Sequence, residues 1–247
     1  NPESDGIIPA YASGGMIYDD QSLDLYVKEA LEYKNKGFNA WKFRPSTPKG
    51  LDHFQRNKMP PPVDIQAIQQ TIKDVSKACG DEFEILLDVG CRCRDINETL
   101  ELCDFSADYN IGFIEEPLPR DLKLYSELIL KTKVNISTGE TFFSSEQFDL
   151  WAKNDAIDIF QPDVNLVGFR EGIKILSIAK EYNKKIVFHN WAHAVSNIAN
   201  ISLALATSGL CKYVESSIVY NPFREKLIIS PIISCNGVYV LSNNKGL

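Results

Sequence analysis

Short apolar runs rich in β-branched and aromatic residues alternate with longer stretches of helical periodicity along most of the chain. This alternation predicts a parallel sheet wrapped by helices, because each helix returns the chain to the edge where the next strand starts. Eight strands are predicted, and they begin near Ile8, Ala40, Glu84, Gly112, Asn135, Asp158, Lys185 and Lys212. Eight strands in 247 residues predict an α/β fold of the TIM type, a (β/α)7β barrel, rather than an open doubly wound sheet.

Two stretches fall outside this regular pattern. The proline-rich stretch from Pro45 to Pro62 predicts a loop, and its His53 is expected on the surface or folded over the site. The stretch from Ile228 to Val240 alternates apolar and polar residues and is expected to form an appendage outside the barrel. We therefore expect a barrel over residues 1–220 and a separate C-terminal segment over residues 221–247.

Composition and charge exclude several classes of protein. The net charge is −7 and the basic residues are scattered, so no nucleic-acid partner is expected. No apolar run approaches the roughly 20 residues that a membrane helix needs, and no signal peptide is recognised, so we expect a cytoplasmic protein without a membrane partner. The six cysteines include no Cys-x-x-Cys pair, which favours reduced thiols over a zinc site or disulfide framework.

Charged or titratable side chains stand at the carboxyl ends of the predicted strands, from the second strand to the eighth. These residues are, in chain order, Lys42 and Arg44, Asp88, Glu115, Glu140, Asp163, His189 and Glu215. From Asp88 onward they follow one another at intervals of 27, 25, 23, 26 and 26 residues, about one strand-helix unit each. Because the carboxyl ends of barrel strands face one mouth, where catalytic groups lie, we expect these side chains to converge.

Carboxylates that share such a mouth repel one another. Three of them at low dielectric would raise one another's pKa unless a cation neutralised their charge. Rigid oxygen ligands, without cysteine or histidine at the same positions, suit a hard octahedral ion that keeps open positions for substrate or water. A magnesium ion is therefore expected at the mouth.

The polar strand ends belong to longer motifs, which occur in a fixed order. These motifs are Trp41-Lys42-Phe43-Arg44, Leu87-Asp88, Ile114-Glu115-Glu116-Pro117, Thr138-Gly139-Glu140, Gln161-Pro162-Asp163, Phe188-His189-Asn190 and, last, Glu215. The set resembles the barrel domain of the enolase superfamily, most of all its mandelate racemase group, in which a Lys-x-Lys strand stands in the first place. The resemblance covers the chain from about Ile8 to Ser216.

The resemblance implies a role for each matching residue. It implies one Mg²⁺ with three ligands, namely Asp88, Glu115 and Glu140, while the neighbouring Glu116 points elsewhere. His189 becomes the general base, oriented by Asp163, and Glu215 becomes a hydrogen-bonding group for the substrate carboxylate. Enzymes of this superfamily use a lysine or histidine base and magnesium to form an enediolate. A small carboxylate substrate and a homo-oligomer are also implied.

Arg44 departs from the family pattern, because it stands where the second lysine of Lys-x-Lys is found. Racemisation needs a base on each face of the α-carbon, and arginine stays protonated at any relevant pH. A single base, His189, favours dehydration of a sugar acid, with Lys42 and Arg44 holding its carboxylate or the neighbouring hydroxyl. A racemase or epimerase of a 2-hydroxy acid is the alternative in the same family. A catalytically silent barrel that acts as a binding or assembly protein is the alternative from another class.

The remaining departures concern residues close to the predicted site. Gly90 replaces the asparagine of an Asp-x-Asn pattern, and Arg92 and Arg94 follow it, either solvated or binding an acidic substrate. His193 lies four residues after His189 and is expected to pack or to face the substrate rather than to bind zinc. Trp191 and Tyr11 are expected to be packing residues.

Members of the family carry an α+β capping domain before the barrel, and its loops close over the substrate. The chain starts at Asn1 without a methionine, so we expect residues upstream of this sequence rather than a barrel that has lost its cap. The C-terminal segment, residues 221–247, is expected to pack against that capping domain.

Overall fold

Eight strands pair side by side in chain order in the computed structural model, which describes residues 6–15, 23–45, 62–191, 193–207, 209–229 and 232–241. The strands are β1 (Ile7–Gly14), β2 (Ala40–Phe43), β3 (Glu84–Asp88), β4 (Ile111–Glu115), β5 (Ile136–Thr138), β6 (Ile159–Phe160), β7 (Lys185–Phe188) and β8 (Cys211–Ser217). The strand order closes on itself, because β1 pairs with both β8 and β2. This topology confirms the predicted TIM-type (β/α)7β barrel.

Helices connect the strands as the periodicity predicts. In the described part of the chain they are α1 (Leu23–Asn35), α2 (Ile65–Cys79), α3 (Ile96–Ser106), α4 (Leu122–Lys131), α5 (Ser145–Lys153), α6 (Val164–Glu181) and α7 (Ala194–Leu205), and a short α8 (Pro222–Glu225) follows β8. Aspartates begin several of them, since the side chains of Asp64, Asp95 and Asp121 accept hydrogen bonds from the first backbone N–H groups of α2, α3 and α4. A kink interrupts α6 at Gly168, whose φ is 76°.

The packing divides the chain into two compact units. We call the first the Asp88 unit, which comprises Gly14–Asn35 and Asn39–Ser137. The second, the His189 unit, comprises Asn1–Ser13, Lys36–Phe38 and Thr138–Leu247. Each unit contains part of the predicted site residues.

Aromatic side chains fill the core of the Asp88 unit. Trp41 and Phe43 of β2 stack with ring centroids 5.2 Å apart, and Tyr26 of α1 meets Phe43 edge-on at 5.4 Å. Glu29 of α1 is buried, and its carboxylate accepts a hydrogen bond from the Trp41 indole N–H at 2.8 Å. The strand that carries Lys42 is thus packed against α1.

The His189 unit is built around a second aromatic cluster. Phe148 of α5 lies 5.1 Å from both Phe142 and Phe160, measured between ring centroids. Phe148 also explains the glycine before Glu140, because a Cβ at Gly139 would lie 2.6 Å from its ring, and the φ of Gly139 is 113°. The turn that presents Glu140 therefore requires glycine.

A ninth strand lies outside the parallel order. β9 (Val238–Val240) pairs antiparallel with the first residues of β1, with Ile7 opposite Val240. Both side chains of that pair are exposed. Among the described residues, no helix has the length and apolar character needed to cross a membrane.

Candidate active site

His189 and Asp163 form a hydrogen-bonded pair in the His189 unit. His189 follows β7, and Asp163 follows β6, where it caps the N-terminus of α6 through its bond from the Asn165 amide. The distance from His189 Nδ1 to Asp163 Oδ2 is 2.9 Å. An ionised carboxylate only accepts hydrogen bonds, so Nδ1 carries the proton, and Nε2 of the neutral imidazole bears the lone pair. The structure therefore brings together the base and the orienting residue implied by the sequence.

The environment of Asp163 keeps it ionised. Burial by itself would raise the pKa of Asp163. Hydrogen bonds from His189, Asn165 and Asn200, together with the charge of His189 when that ring is protonated, outweigh this effect, so the pKa lies below its ordinary value. Asp163 thus remains a hydrogen-bond acceptor for the imidazole throughout the neutral pH range.

Two further carboxylates face the other ring nitrogen of His189. Its Nε2 lies 3.5 Å from Glu140 Oε2 and 3.9 Å from Glu215 Oε2. The side chain of Glu140 is 22% exposed, whereas that of Glu215 is fully buried. Three carboxylates around one imidazole stabilise the protonated ring, which is the state that a general base reaches after it takes a proton.

Glu215 is held in place by the residues that follow His189. The Asn190 backbone N–H donates to Glu215 Oε2 at 2.9 Å, and the Trp191 indole N–H donates to Glu215 Oε1, also at 2.9 Å. The same indole N–H lies 3.2 Å from Ser13 Oγ on β1. Trp191, expected as a packing residue, therefore also orients a predicted site residue through its indole N–H.

Three buried asparagines, to which the sequence assigns no role, connect these groups. The amide of Asn200 donates to the His189 carbonyl at 3.1 Å and lies 3.4 Å from Asp163 Oδ1, while its oxygen accepts the Val164 N–H at 3.1 Å. The Asn190 amide donates to the Asn197 side chain at 2.6 Å and to the Glu215 carbonyl at 3.0 Å. A sequence signal existed, since Asn197 and Asn200 are three residues apart on the buried face of α7.

Lys42 and Glu115 form a buried ion pair in the Asp88 unit. Lys42 Nζ lies 2.7 Å from Glu115 Oε2, and the two side chains are 5% and 0% exposed. Glu115 ends β4 directly opposite Asp88, which ends β3. The parallel register thus places two predicted magnesium ligands side by side.

The pKa of Asp88 is strongly perturbed by its surroundings. Burial and the charge of Glu115 raise its pKa to about 6, although Arg44 and Lys42 oppose the shift. Arg44 Nε lies 3.3 Å from Asp88 Oδ2, and the Arg44 side chain is 37% exposed. The neighbouring carboxylates therefore disfavour one another's charge, as expected where a cation binds.

Asp88 and Glu115 are neighbouring carboxylates, and carboxylate oxygens are the ligands that Mg²⁺ prefers. Glu140, in the His189 unit, also ends in a carboxylate. The cysteines nearby do not compete, because burial and Glu116 raise the pKa of Cys91 to about 12 and burial raises that of Cys93 to about 12. No three His, Cys, Asp or Glu side chains of the described residues are gathered closely enough to hold a metal.

The two arginines after Gly90 have different environments. Arg94 is on the surface and pairs with Glu98, with 2.6 Å between Nη2 and Oε1. Arg92 is only 8% exposed and donates to the carbonyls of Val89 and Pro45, at 2.9 and 2.5 Å. Arg94 is thus solvated, while Arg92 is buried and hydrogen-bonded to the backbone of Val89 and Pro45.

The remaining candidates lie apart from these contacts. Glu116 is buried and accepts two hydrogen bonds from Arg120, at 2.8 and 3.0 Å. His193 is exposed at the start of α7, where Ser196 Oγ lies 3.4 Å from its Nε2. Tyr11 is fully buried, as expected of a packing residue. His53 lies outside the described residues.

Comparison with known proteins extends over nearly the whole chain. The family model of enolase C-terminal domain-like proteins matches residues 25–247. Among curated proteins, the chain is 24% identical over 252 residues to the D-galactarolactone cycloisomerase of Agrobacterium fabrum, covering 97% of this chain and 62% of that relative. It is 27% identical over 244 residues to the D-gluconate/D-galactonate dehydratase of Picrophilus torridus, covering 96% and 59%.

A solved structure is also similar to nearly the whole of this chain. The 3,6-anhydro-D-galactonate cycloisomerase of Zobellia galactanivorans superposes with a TM-score of 0.79 and 26% identity, covering 96% of this chain and 62% of that one. The chain therefore spans about three fifths of the length of the proteins it matches.

Proposed function

Because the chain belongs to the enolase C-terminal domain-like family, we propose that it provides the barrel of a Mg²⁺-dependent acid-sugar dehydratase. The proposed reaction converts a sugar acid into a 2-keto-3-deoxy acid. The observation that carries this proposal is the 2.9 Å hydrogen bond between His189 and Asp163, which holds a base ready for proton abstraction. The similarity to a D-gluconate/D-galactonate dehydratase supports the same class of reaction.

His189 is the proposed general base. With Nδ1–H donated to Asp163, Nε2 takes the proton from the α-carbon of the substrate. The electron pair of the broken C–H bond moves toward the carboxylate and gives an enediolate. When this pair returns, a double bond forms between the α- and β-carbons, and the bond to the β-hydroxyl breaks.

The departing hydroxyl leaves as water after it receives a proton. In a syn elimination, His189 returns the proton that it removed, so the enzyme regains its starting protonation state. The enol that remains carries its hydroxyl on the α-carbon and tautomerises to the 2-keto-3-deoxy acid. One base is sufficient for this sequence of steps, in agreement with the arginine at position 44.

Asp88, Glu115 and Glu140 are the proposed ligands of one Mg²⁺. When bound, the ion neutralises negative charge on the substrate's carboxylate oxygens. The raised pKa of Asp88 beside Glu115 supports a cation at these ligands. Ligands on the ends of rigid strands also need little reorganisation as the charge develops.

Lys42, Arg44 and Glu215 are the proposed substrate contacts. Lys42 and Arg44 hold the substrate carboxylate or its neighbouring hydroxyl, and Arg44 is the more exposed of the two cations. Glu215 hydrogen-bonds the substrate from a position fixed by Trp191. None of these contacts supplies a second base, since arginine remains protonated.

Ring opening of a cyclic sugar acid is a second candidate. Two of the similar proteins are named cycloisomerases, and they match 97% and 96% of this chain. The same proton abstraction opens a ring when the leaving oxygen belongs to that ring. The two reactions therefore differ in the substrate rather than in the base.

A panel of acids tests the proposal. The protein is incubated with Mg²⁺ and D-gluconate, D-galactonate, D-arabinonate, D-galactarolactone or 3,6-anhydro-D-galactonate, and 2-keto products are detected. We expect product from an open-chain acid in the native protein and none in His189→Ala. His193→Ala is the matched control, because His193 is exposed and contacts only Ser196 among the interactions described above.

Other outcomes assign other functions. Product only from a cyclic acid would replace the dehydratase with a cycloisomerase. Deuterium from heavy water entering recovered acid at inverted configuration, without 2-keto product, would indicate a racemase or epimerase. If neither product nor deuterium exchange is observed, the remaining candidate is a catalytically silent barrel that acts as a binding or assembly protein.

We further propose that the C-terminal segment, residues 221–247, packs against a capping domain. Large apolar side chains are exposed along it, namely Phe223, Leu227, Ile229, Ile233 and Val240. Supplying a capping domain upstream should reduce the binding of a fluorescent apolar dye to this surface. Unchanged dye fluorescence, with the extended protein folded, would contradict this arrangement.

A further inference from the structure

Gly90 leaves a space that is filled by a side chain from the neighbouring strand. Its φ is +63°, and an added Cβ would lie 2.6 Å from Nη2, 3.2 Å from Nε and 3.3 Å from Cζ of Arg44. The guanidinium of Arg44 thus lies directly over the peptide at residue 90. Any side chain at this position would need the volume that the guanidinium occupies.

The same placement brings Arg44 to Asp88. Its Nε is 3.3 Å from Asp88 Oδ2, and Asp88 is two residues before Gly90 at the end of β3. The Arg44 side chain is 37% exposed, whereas that of Asp88 is 12% exposed. The guanidinium is therefore the more accessible group of the pair, and it lies against Gly90.

Arg92 bridges the chain segments that contain Gly90 and Arg44. Its Nε donates to the carbonyl of Val89, the residue before Gly90, and its Nη2 donates to the carbonyl of Pro45, the residue after Arg44. Its side chain is buried, which costs free energy unless the two bonds are kept. One side chain thus bridges the segments that follow β2 and β3.

We propose that Gly90 and Arg92 are positioning residues for Arg44: Gly90 provides the space over its peptide, and Arg92 holds the two strand ends at the distance that the guanidinium spans. This inference rests on the proposed function where it concerns catalysis. It also unites two departures from the family pattern, since arginine for lysine and glycine for asparagine meet at one contact.

A thermal double-variant cycle tests the contact without any substrate. Gly90→Asn is suitable because asparagine tolerates positive φ, and Gly209→Asn is the matched control, since Gly209 has φ +91° and nothing within 4 Å of an added Cβ. The guanidinium is the end of a flexible side chain and can move at modest cost, so we expect Gly90→Asn to lower Tm about 2 °C more than the control, a shift typical of up to about 1 kcal/mol in a chain of this size. Arg44→Lys should relieve that loss, because lysine lacks the planar group that asparagine would meet.

Turnover of an accepted acid supplies the second readout. We expect Gly90→Asn to lower kcat/KM at least tenfold, Gly209→Asn to leave it unchanged, and the double variant to match Arg44→Lys alone. Arg92→Met should lower kcat/KM as well, and the combination of Arg92→Met with Arg44→Lys should add little further loss.

Equal Tm losses from Gly90→Asn in the native and Arg44→Lys backgrounds would overturn the proposal, as would an unchanged kcat/KM in Gly90→Asn. If no acid is turned over, the proposed function fails, while the thermal cycle still decides whether Gly90 positions Arg44. The two failures are therefore distinguishable.

Discussion

Asp163 has two roles, one in capping a helix and one in holding His189. Asp163 caps α6 through the Asn165 N–H and accepts the Nδ1 proton of His189. The cap stabilises the helix, and the second bond selects the tautomer of the imidazole. A substitution that keeps the first task and changes the second should separate stability from catalysis.

Asp163→Asn is such a substitution. Asparagine is a good N-cap residue, but it lacks the charge that stabilises the protonated imidazole. We expect kcat to fall by about 10²- to 10⁴-fold when product formation is followed at neutral pH, while the helix cap is kept and only the stability due to the charge is lost. Asp121→Asn is the control, because Asp121 caps α4 through backbone N–H groups of Lys123 and Leu124. Equal losses of activity in both variants would contradict the assigned role.

Acid unfolding offers an independent test of the same residue. Because the pKa of Asp163 is lowered in the folded protein, its ionised form stabilises the fold above the unfolded-state value of about 4. That contribution is lost as the pH falls through the lower, folded-state value. The difference in unfolding free energy between the native protein and Asp163→Asn should therefore shrink from pH 6 toward pH 3, measured by urea denaturation. A difference that grows toward acid pH would show the opposite sign.

The charge of Asp88 is expected to favour Mg²⁺ binding and to lower the stability of the metal-free folded protein. Burial and Glu115 raise its pKa to about 6, so at pH 7.5 the folded protein holds a charge that its surroundings disfavour. We expect Asp88→Asn to leave Tm unchanged or raise it in EDTA, and to weaken Mg²⁺ binding at least tenfold in calorimetry. Asp95→Asn, at the cap of α3, should leave Mg²⁺ binding unchanged. Undiminished Mg²⁺ affinity in Asp88→Asn would exclude it as a ligand.

At the scale of elements, α7 fixes the loops that present the site. Asn200 on its buried face bonds to the first N–H of α6 at Val164 and to the carbonyl of His189 after β7. A single amide thus ties one helix to the start of another and to the end of a strand. The three elements are expected to unfold together because their polar backbone groups depend on that amide.

Asn200→Leu tests this connection. It leaves the Val164 N–H and the His189 carbonyl without that partner, so we expect a loss of about 2 kcal/mol or more in unfolding free energy. Asn154→Leu is the control, since Asn154 is exposed and should change stability by less than about 0.5 kcal/mol. Urea denaturation followed by circular dichroism gives both values, and similar losses in the two variants would contradict the argument.

At the scale of the whole chain, residues far apart in sequence meet at two glycines. The φ angles of Gly37 and Gly237 are 87° and 71°. A Cβ at Gly37 would lie 2.8 Å from Asn236 Cα, and one at Gly237 would lie 3.0 Å from Phe38 Cα. The Gly237 carbonyl also accepts the Ala10 N–H at 2.8 Å, next to the pairing of β9 with β1. The C-terminal segment is thus anchored by backbone contacts.

Gly237→Ala should loosen that anchor. The added Cβ collides with backbone rather than with a flexible side chain, so we expect a loss of about 2 kcal/mol relative to Gly209→Ala. The control has the same kind of positive φ but open space around it, which isolates the collision from the strain. Proteolysis of the C-terminal segment should accelerate in Gly237→Ala and not in the control. Equal behaviour of the two variants would show that only backbone strain matters.

The number and type of elements follow from the sequence, because the alternation of apolar runs and helical stretches is local. The closed strand order was also predictable, since eight strand-helix units have few other arrangements. The same regularity places polar residues at the ends of the second to the eighth strand. The pairing of Asp163 with His189, which the structure shows, was implied by the family resemblance. The joint action of Asp88, Glu115 and Glu140 on one ion stays a prediction.

Only the tertiary structure decided which side chains touch across long separations. Trp191 reaches Ser13 across 178 residues, Arg92 reaches Pro45 across 47, and Arg44 covers Gly90. Such contacts depend on side-chain rotamers and on the distance between strand ends. Local periodicity in the sequence predicts neither. The sequence by itself therefore determined the barrel and the kinds of residue at its strand ends, while packing decided which partner each of those residues holds.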